Sequence, residues 1–487
     1  MWHVILTCYM VFAMQPSALH QSVVSHYIAQ GLAGNLALQQ HTCTSLQALA
    51  GLRRAKAALL PALRLEARYT RAGGGRTIDL PIGDLMNPVH EALNDLLQAQ
   101  GQPGLFPGNI QNERIYFLRS TEHDTKLNLS MPIYYPELRC LVKAHAERAR
   151  MAELARRSFC CQLVADIQTA YYTVQKALYL RDFLLNNREL LQENLRVCRS
   201  LYTHHKRTQE IVFQAQAELT DLEAHIVETD NDLLRAKAYF NFLLNRPLEA
   251  EITGSPLYMP TQQDLDVPTL QQSALRERLD FLRLNAGIRA AEWQRKAKHK
   301  ALFPQIVSSV AYGFQGEEYR FSAQDDYWSA SLVLRWDLYT GGGKRATEAQ
   351  ARWQLAQLRA QADELAGVIR LQVQTACQDM QVALLKLKTC LARSKSRGEA
   401  FRIVEKKFSL GLGPHIEYVE ARKNYTNAGI ARILALFDVY IKRVELTRAA
   451  RLDGDRWLQL LPPAGRRAQA NTRTTHHKTH MGKGVVQ

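Results

Sequence analysis

The chain has 487 residues, and its 62 Lys and Arg against 46 Asp and Glu give a formal net charge of +16. Its hydrophobic fraction of 46% and charged fraction of 22% are typical of a folded protein and exclude a disordered one. A strongly basic chain can bind nucleic acid or an anionic membrane surface. No zinc finger, aromatic-basic strand motif or basic recognition helix accompanies the charge, so we expect no nucleic-acid partner.

Only the N-terminal end carries a long apolar segment, from Val4 to Met14. This segment is shorter than the ~20 residues of a transmembrane helix and is typical of the hydrophobic core of a secretory signal. We therefore predict a signal peptide over residues 1–18 and no inner-membrane anchor.

The rest of the chain contains an internal repeat. The matching pairs are Pro61 and Pro304, Tyr69 and Tyr312, Tyr134 and Tyr339, and Tyr202 and Phe408. In the last two pairs, the two members lie the same number of residues apart, within one. In the first two pairs the members lie farther apart, and one insertion in the first half explains the difference. Two copies of one unit predict a pseudo-symmetric body.

Each copy is predicted to fold as helix, strand, strand, helix. The first repeat occupies residues 19–248 and the second residues 269–450, with a proline-containing linker at 249–268. Residues 451–487 are basic and lack apolar periodicity, so we expect a disordered tail.

Four segments alternate apolar and polar residues, as β-strands do. They are predicted at residues 62–72 and 125–135 in the first repeat and at 304–315 and 327–339 in the second. Between the first two lies a long Gly- and Pro-rich segment at 73–124, which we interpret as an extracellular loop with a short helix near residues 89–99.

Strands of about ten residues, apolar on one face and flanked by aromatic residues, are typical of a transmembrane β-barrel. Lipid permits no open sheet edge, so four strands per chain require strands from other copies. The alternative interpretation is a soluble sheet with one wet face.

The long helices carry small residues on more than one stripe, such as Ala349, Ala351, Ala356, Ala360, Ala362 and Ala366. They lack the sustained apolar seam of a solid coiled coil. Small residues on several stripes let a helix pack against neighbours on both sides, as the wall of a helical cylinder requires.

Four further stretches resemble those of a known family. They are Arg278-Leu279-Asp280, Ala301-Leu302-Phe303-Pro304-Gln305, Trp336-Asp337-Leu338-Tyr339 with the glycines around Gly342, and Phe408 to Tyr425. In this order, together with the duplication, they resemble the TolC family of outer-membrane efflux proteins. Pro61, Pro304, Asp337 and Gly342 are identified through this resemblance as motif residues of the repeats.

The resemblance implies a mainly α protein with a transmembrane β part. Three copies would form one twelve-stranded outer-membrane β-barrel, continued by a periplasmic α-helical barrel. Such a homotrimer is a passive exit duct for efflux or type I secretion, and works with a periplasmic adaptor protein and an inner-membrane transporter. It implies no enzymatic activity, no cofactor and no metal.

The resemblance also assigns residues to the periplasmic aperture. Glu417 and Glu420 match two acidic family positions, and three residues apart on a helix they share a face. Three protomers would present six carboxylates around one axis, which favours cations. Phe408 and Gly411 match the aromatic residue and the glycine at the helix bend before this site. The alternative is an ordinary solvated acidic face.

The first repeat departs from this pattern, since His205 occupies the position of Gly411 and Ile211 that of Glu417. Two alternatives to the duct also follow from the sequence. One is a soluble or surface-exposed helical scaffold. The other is a metal-exporting duct that would use the acidic aperture together with the histidines, namely His204, His205, His476, His477 and His480. No Ser/His/Asp set, phosphate loop or paired-acid site supports an enzyme.

Overall fold

The computed structural model describes residues 17–255, 266–410 and 412–461, with side chains from residue 23 onward. The predicted signal peptide up to residue 16, part of the predicted linker, Gly411 and the tail from residue 462 lie outside the described residues. Among the described helices, none is both long and apolar enough to span a membrane.

The first repeat contains nine elements, and three of them form one insertion between its two long strands. In chain order they are α1 (Ser17–Gly34), α2 (Leu36–Ala57), β1 (Ala62–Arg71), β2 (Thr77–Leu80), α3 (Ile82–Ala99), β3 (Glu113–Tyr116), β4 (Thr121–Tyr134), α4 (Pro136–Thr203) and α5 (Glu210–Leu243). The second repeat has the same order without an insertion: α6 (Val267–Glu277), α7 (Leu279–Lys300), β5 (Gln305–Gly316), β6 (Asp326–Arg335), α8 (Gly343–Ser409) and α9 (His415–Ala450).

The described residues divide into two compact units. The helical unit holds the chain up to Arg53, Lys143–Gln294 and the chain from Gln350 onward. The sheet unit holds Arg54–Val142 and Arg295–Ala349. Each unit therefore combines segments of both repeats.

The main core of the helical unit is rich in aromatic residues. The ring centroid of Tyr27 lies 5.1 Å from that of Phe240 and 6.0 Å from that of Tyr171. Phe437 and Ile167 are fully buried in the same cluster. Edge-to-face pairs at these distances add to the stabilisation that burial of apolar surface provides.

Residues 451–461 are part of this unit, although the sequence analysis assigned them to a disordered tail. Trp457–Leu460 form a 3₁₀ turn, and Trp457 is buried in the main core. The indole Nε1 of Trp457 donates a hydrogen bond to Asp453 at 3.0 Å. Leu458 and Leu461 pack against the same core, so burial of apolar side chains holds this segment although it has no helical periodicity.

The sheet unit is built on four antiparallel strands in the order β1-β4-β5-β6. Each repeat supplies one adjacent pair, and the pairing of β4 with β5 joins the two repeats. One row of apolar side chains crosses all four strands: Leu65 is opposite Leu127, Leu127 opposite Tyr312, and Tyr312 opposite Trp328. These four side chains are 70%, 45%, 49% and 76% exposed, so no described residue covers this face.

The opposite face of the sheet is polar and connected by hydrogen bonds. Asp124 accepts hydrogen bonds from Lys126 at 2.8 Å and from the Tyr327 hydroxyl at 2.9 Å. Ser309 donates to Asn128 at 2.7 Å. The two faces therefore differ in the manner expected when one faces an apolar and the other an aqueous medium.

In the second hairpin, β6 ends earlier than predicted, at Arg335 rather than at residue 339. The indole Nε1 of Trp336 donates to the carbonyl of Leu302 at 3.1 Å, which draws the chain out of the sheet. Lys344 then donates to the carbonyl of Ala301 at 2.8 Å and pairs with Asp337 at 3.0 Å.

Two of the remaining motif residues lie where helices end, and one lies in the tight turn after the sheet. Pro61 and Pro304 directly precede β1 and β5 and lie a few residues after the ends of the helices before them, where they have no amide hydrogen to extend the helical hydrogen bonding. Gly342 has a φ of 83°, which a residue with a side chain rarely adopts.

The predicted extracellular loop at residues 73–124 is instead largely folded. It contains the β2–β3 hairpin and the 18-residue helix α3, which begins at Ile82 rather than near residue 89. Pro88 lies inside this helix, and the sequence prediction began the helix after it. Thr121 to Asp124 belong to β4, which is thus longer at its start than predicted.

Two helical glycines offer a matched test of the packing between helices. A methyl group at Gly429 of α9 would overlap the ring of Phe183, whereas a methyl group at Gly367 of α8 would meet no described atom within 4 Å. We expect Gly429→Ala to destabilise the protein by about 1–3 kcal/mol through overpacking.

Gly367→Ala serves as the control and should be neutral or stabilising, since alanine is favoured over glycine in a helix by up to ~1 kcal/mol. Thermal unfolding of the two purified variants measures both effects. Equal melting temperatures would contradict the close contact of α9 with Phe183.

Candidate functional site

Two turns of the helical unit lie side by side, and the predicted aperture residues Glu417 and Glu420 follow the second of them. Residues 204–209 connect α4 to α5, and residues 410–414 connect α8 to α9. Arg207 of the first turn donates a hydrogen bond to the carbonyl of Gly413 in the second at 3.4 Å. Because the two turns occupy equivalent positions in the two repeats, we call them together the double turn.

The helices before these turns end in the same way. The amide of Lys206 donates to the carbonyl of Leu201 at 2.9 Å, and that of Leu412 donates to the carbonyl of Lys407 at 2.9 Å. Such six-residue closures require a left-handed residue between helix and turn, which His205 supplies with a φ of 55°. Gly411 is the equivalent residue in the sequence and lies outside the described residues.

Phe408 anchors the second turn rather than facing away from it. Its ring stacks on Tyr418 at a centroid distance of 4.9 Å and lies 5.5 Å from the His415 ring. These contacts tie the end of α8 to the beginning of α9. The aromatic residue before the bend thus has a structural role in the chain as described.

Glu417 and Glu420 lie in the first two turns of α9, and both are exposed. His415, Tyr418 and Arg422 occupy the buried side of the same helix. Within the described residues neither carboxylate forms an ion pair. Glu417 also lies near the positive end of the helix dipole, which stabilises its negative charge.

His415 is the first of several site residues that the sequence alone did not indicate. It is only 5% exposed and is held between Cys198 of α4, at 3.5 Å from Nε2 to Sγ, and Gln214 of α5, at 3.3 Å from Nδ1 to Oε1. Burial lowers the pKa of His415, and the cations Arg207 and Arg422 lower that pKa further. The imidazole is therefore neutral at neutral pH.

An ion pair between Arg422 of α9 and Glu218 of α5 links the two repeats below the double turn. Burial raises the pKa of Glu218 and lowers that of Arg422, and their mutual attraction opposes both shifts. Loss of one partner from such a pair costs about 3–5 kcal/mol because an unpaired charge stays buried. The helical spacing of Tyr418, Arg422 and Tyr425 is a sequence signal that could have placed Arg422 on a stripe with two aromatic residues.

The double turn offers no metal centre. Among the described residues no group of three or more His, Cys, Asp and Glu side chains could hold a metal ion. His204 and His205 are exposed in the first turn, and the histidines of the tail lie outside the described residues. The site therefore combines a buried polar interior with exposed carboxylates.

Comparison with known proteins gives consistent results. Residues 270–450 match the family model described as outer membrane efflux protein. The probable efflux pump outer membrane protein TtgC of Pseudomonas putida is 22% identical over 357 residues, which cover 69% of this chain and 70% of that protein. Outer membrane protein OprJ of Pseudomonas aeruginosa is 22% identical over 339 residues, covering 65% of this chain and 69% of that protein.

Solved structures share the fold at lower identity. The CmeC outer membrane channel of Campylobacter jejuni superimposes with a TM-score of 0.74 at 14% identity, covering 91% of this chain and 90% of that one. The outer membrane protein VceC of Vibrio cholerae gives a TM-score of 0.72 at 15% identity, covering 88% of this chain and 97% of that one. The mixed fold predicted from the sequence, mainly α with a β part, is confirmed.

The buried histidine leads to a prediction about acid sensitivity. The pKa of His415 in the folded state is lower than its ordinary value of 6.5. Above that pH the imidazole is neutral in both the folded and the unfolded chain, so its burial does not reduce stability there. As the pH falls below it, the unfolded chain takes up a proton that the folded chain does not, and stability decreases by up to ~1.4 kcal/mol per pH unit. We expect His415→Gln to lose less stability than the parent between about pH 7 and pH 5.

The raised pKa of Glu218 acts in the opposite direction, since protonation of that carboxyl favours the folded state as the pH falls. Both proteins share this contribution, so the difference between their pH profiles isolates His415. Thermal unfolding across the pH range provides the measurement. Parallel profiles would show that His415 is not held neutral by burial.

Proposed function

The chain belongs to the outer membrane efflux protein family, and we propose that three copies close one barrel and form a passive exit duct across the outer membrane. Its relative TtgC is named as a probable outer membrane protein of an efflux pump, and the chain is accordingly an efflux channel of the outer membrane and not an enzyme. As a pump component it assembles with other pump parts. We propose both the trimeric state and the identity of those parts.

The uncovered apolar face of the four-stranded sheet carries this proposal. A soluble scaffold would leave the row from Leu65 to Trp328 in water, whereas lipid would cover it. Strands β1 and β6 are the edges of this sheet. An open edge is not tolerated in lipid, so β6 of one copy must pair with β1 of the next.

Three copies of a four-stranded sheet supply twelve strands. With strands ~4.8 Å apart and tilted by about 40°, such a barrel is roughly 24 Å wide between opposite backbones. The face that carries Asp124, Asn128 and Ser309 would line its interior. Its polar side chains support a water-filled passage.

The proposal is tested by native mass and single-channel recording of the purified protein. We expect a trimer that conducts ions in a planar bilayer. Leu332→Arg places a charge on the apolar face and should impair membrane insertion by about 2–4 kcal/mol. Ser331→Arg changes the adjacent residue on the other face and should still insert. A monomer that conducts no current would overturn the proposal.

We further propose that the duct receives its cargo from an inner-membrane transporter through a periplasmic adaptor protein. The relatives named as pump components support such an assembly. The duct has no energy source of its own within this scheme, so the transporter would drive export.

We place the periplasmic aperture at the double turn, with Glu417 and Glu420 facing the passage. Their exposure, the lack of ion pairs with described residues and their common helix face support this position. Phe408 and Gly411 would set the bend that brings the carboxylates of three copies around one axis.

Replacement of both carboxylates tests this placement. Glu417→Gln/Glu420→Gln removes six charges from a trimer, and we expect a clear shift of the reversal potential in a salt gradient toward lower cation selectivity. Glu417→Asp/Glu420→Asp keeps the charges and serves as the matched control. An unchanged reversal potential in the Gln variant would show that these residues do not face the passage.

A further inference from the structure

The folded segment between β1 and β4, residues 72–120, has an unusual distribution of polar and apolar side chains. We call it the insert. Its ends are joined by a hydrogen bond from the amide of Ala72 to the carbonyl of Ser120 at 3.0 Å. Between them, the β2–β3 hairpin and helix α3 form a small body of their own.

The polar face of α3 is turned inward. Asn87 exchanges two hydrogen bonds of 2.8 Å with the backbone of Ile110, and Asn94 exchanges two with the backbone of Phe106, at 2.8 and 3.0 Å. Between them, His90 contacts the carbonyl of Pro107 at 2.9 Å. These bonds fasten residues 106–110 along one side of the helix.

Gly83 lies on the same inward side, and a Cβ there would collide with the carbonyl of Ile110. The segment can therefore approach the helix backbone only because this position is a glycine. These contacts fix which side of α3 faces residues 106–110, and they therefore also fix which side faces outward.

The outward side of α3 is apolar and uncovered within the described residues. It is formed by six large side chains, all at least one-third exposed: Ile82, Leu85, Met86, Val89, Leu93 and Leu96. Ile82, Val89 and Leu96 are spaced by seven residues. An apolar repeat of seven residues is typical of helices that pack side by side against other helices.

A lipid surface is the less suitable partner for this face. Helices that lie on membranes carry Lys and Arg beside their apolar side. Helix α3 instead carries Asp84, Glu91 and Asp95, and contains no Lys or Arg. An anionic membrane surface would repel it.

A second copy of the chain is the better partner, because the insert follows β1 directly. β1 is an edge of the sheet, and in the proposed trimer it pairs with β6 of the neighbouring copy. The insert therefore starts at the junction between copies. A helix of 18 residues is ~27 Å long, which is enough to reach the centre of a barrel roughly 24 Å wide.

We propose that the apolar faces of α3 from three copies pack together as a parallel three-helix cap over the outer opening of the barrel. The inference rests on the proposed trimer. The cap narrows the duct at the end where the sheet continues into the insert rather than into helices.

Disulfide trapping in the intact protein tests the cap. Val89→Cys places a thiol at the centre of the proposed contact, and Glu91→Cys places one on the flank of the same helix. Both are made in a chain that carries Cys43→Ser, since Cys43 is an exposed thiol. On oxidation with copper phenanthroline, we expect Val89→Cys to lose most of its monomer band to a dimer. Two of the three thiols around the axis can pair.

Glu91→Cys and the parent should remain monomeric on the same denaturing gel. If Val89→Cys instead reacts freely with a membrane-impermeant maleimide and does not cross-link, the face is open to water and the cap is wrong. If a fluorophore at that thiol is quenched by brominated lipid, the face lies on the membrane, which also overturns the cap.

Native mass separates this inference from the proposed function. A conducting trimer without cross-links contradicts the cap alone. A chain that is monomeric in its native mass contradicts the trimer and the cap together.

Discussion

A strand at the margin of a sheet presents unpaired amide and carbonyl groups, and in hydrocarbon nothing but another strand can satisfy them. In this protein β1 and β6 are such margins. The apolar row from Leu65 to Trp328 is suited to lipid, and lipid does not permit open margins. The closure that we propose between copies would meet both conditions. The hydrogen-bonded face around Asp124 would then line the interior, which accounts for the difference between the two faces.

The helical unit separates residues that hold it together from residues that can meet solutes. His415 and Arg422 are buried between helices of both repeats, and each has a partner within the chain: Gln214 for His415 and the half-buried Glu218 for Arg422. Glu417 and Glu420 are on the opposite side of α9 and are free of ion pairs with the described residues. The buried groups fix where α9 begins, and the position of the carboxylates follows from it. The insert has the opposite arrangement, since its polar side chains make internal contacts and its apolar side chains are exposed.

The strands could be predicted from sequence because alternation over ten residues is a local signal. The extent of α3 could not, since Pro88 obscured its start and the asparagines that fix it bond to backbone atoms about 12 to 23 residues away. Similarly, nothing near His415 indicates that Cys198 lies beside it. The family resemblance supplied Glu417 and Glu420, whereas the buried contacts below them depend on packing between distant helices. Trp457 was missed because one apolar residue makes no periodic pattern.

The pairing of β4 with β5 has a consequence for how the protein is made. Ser308 donates a hydrogen bond to the carbonyl of Met131, a residue 177 positions earlier in the chain. Contacts of such sequence separation form slowly, since a long loop must close before they are gained. The first hairpin is synthesised long before the second one exists, and the apolar face of the first hairpin must be shielded from water during that delay. Passage of this polypeptide through an aqueous compartment thus calls for a holding chaperone until the later half arrives.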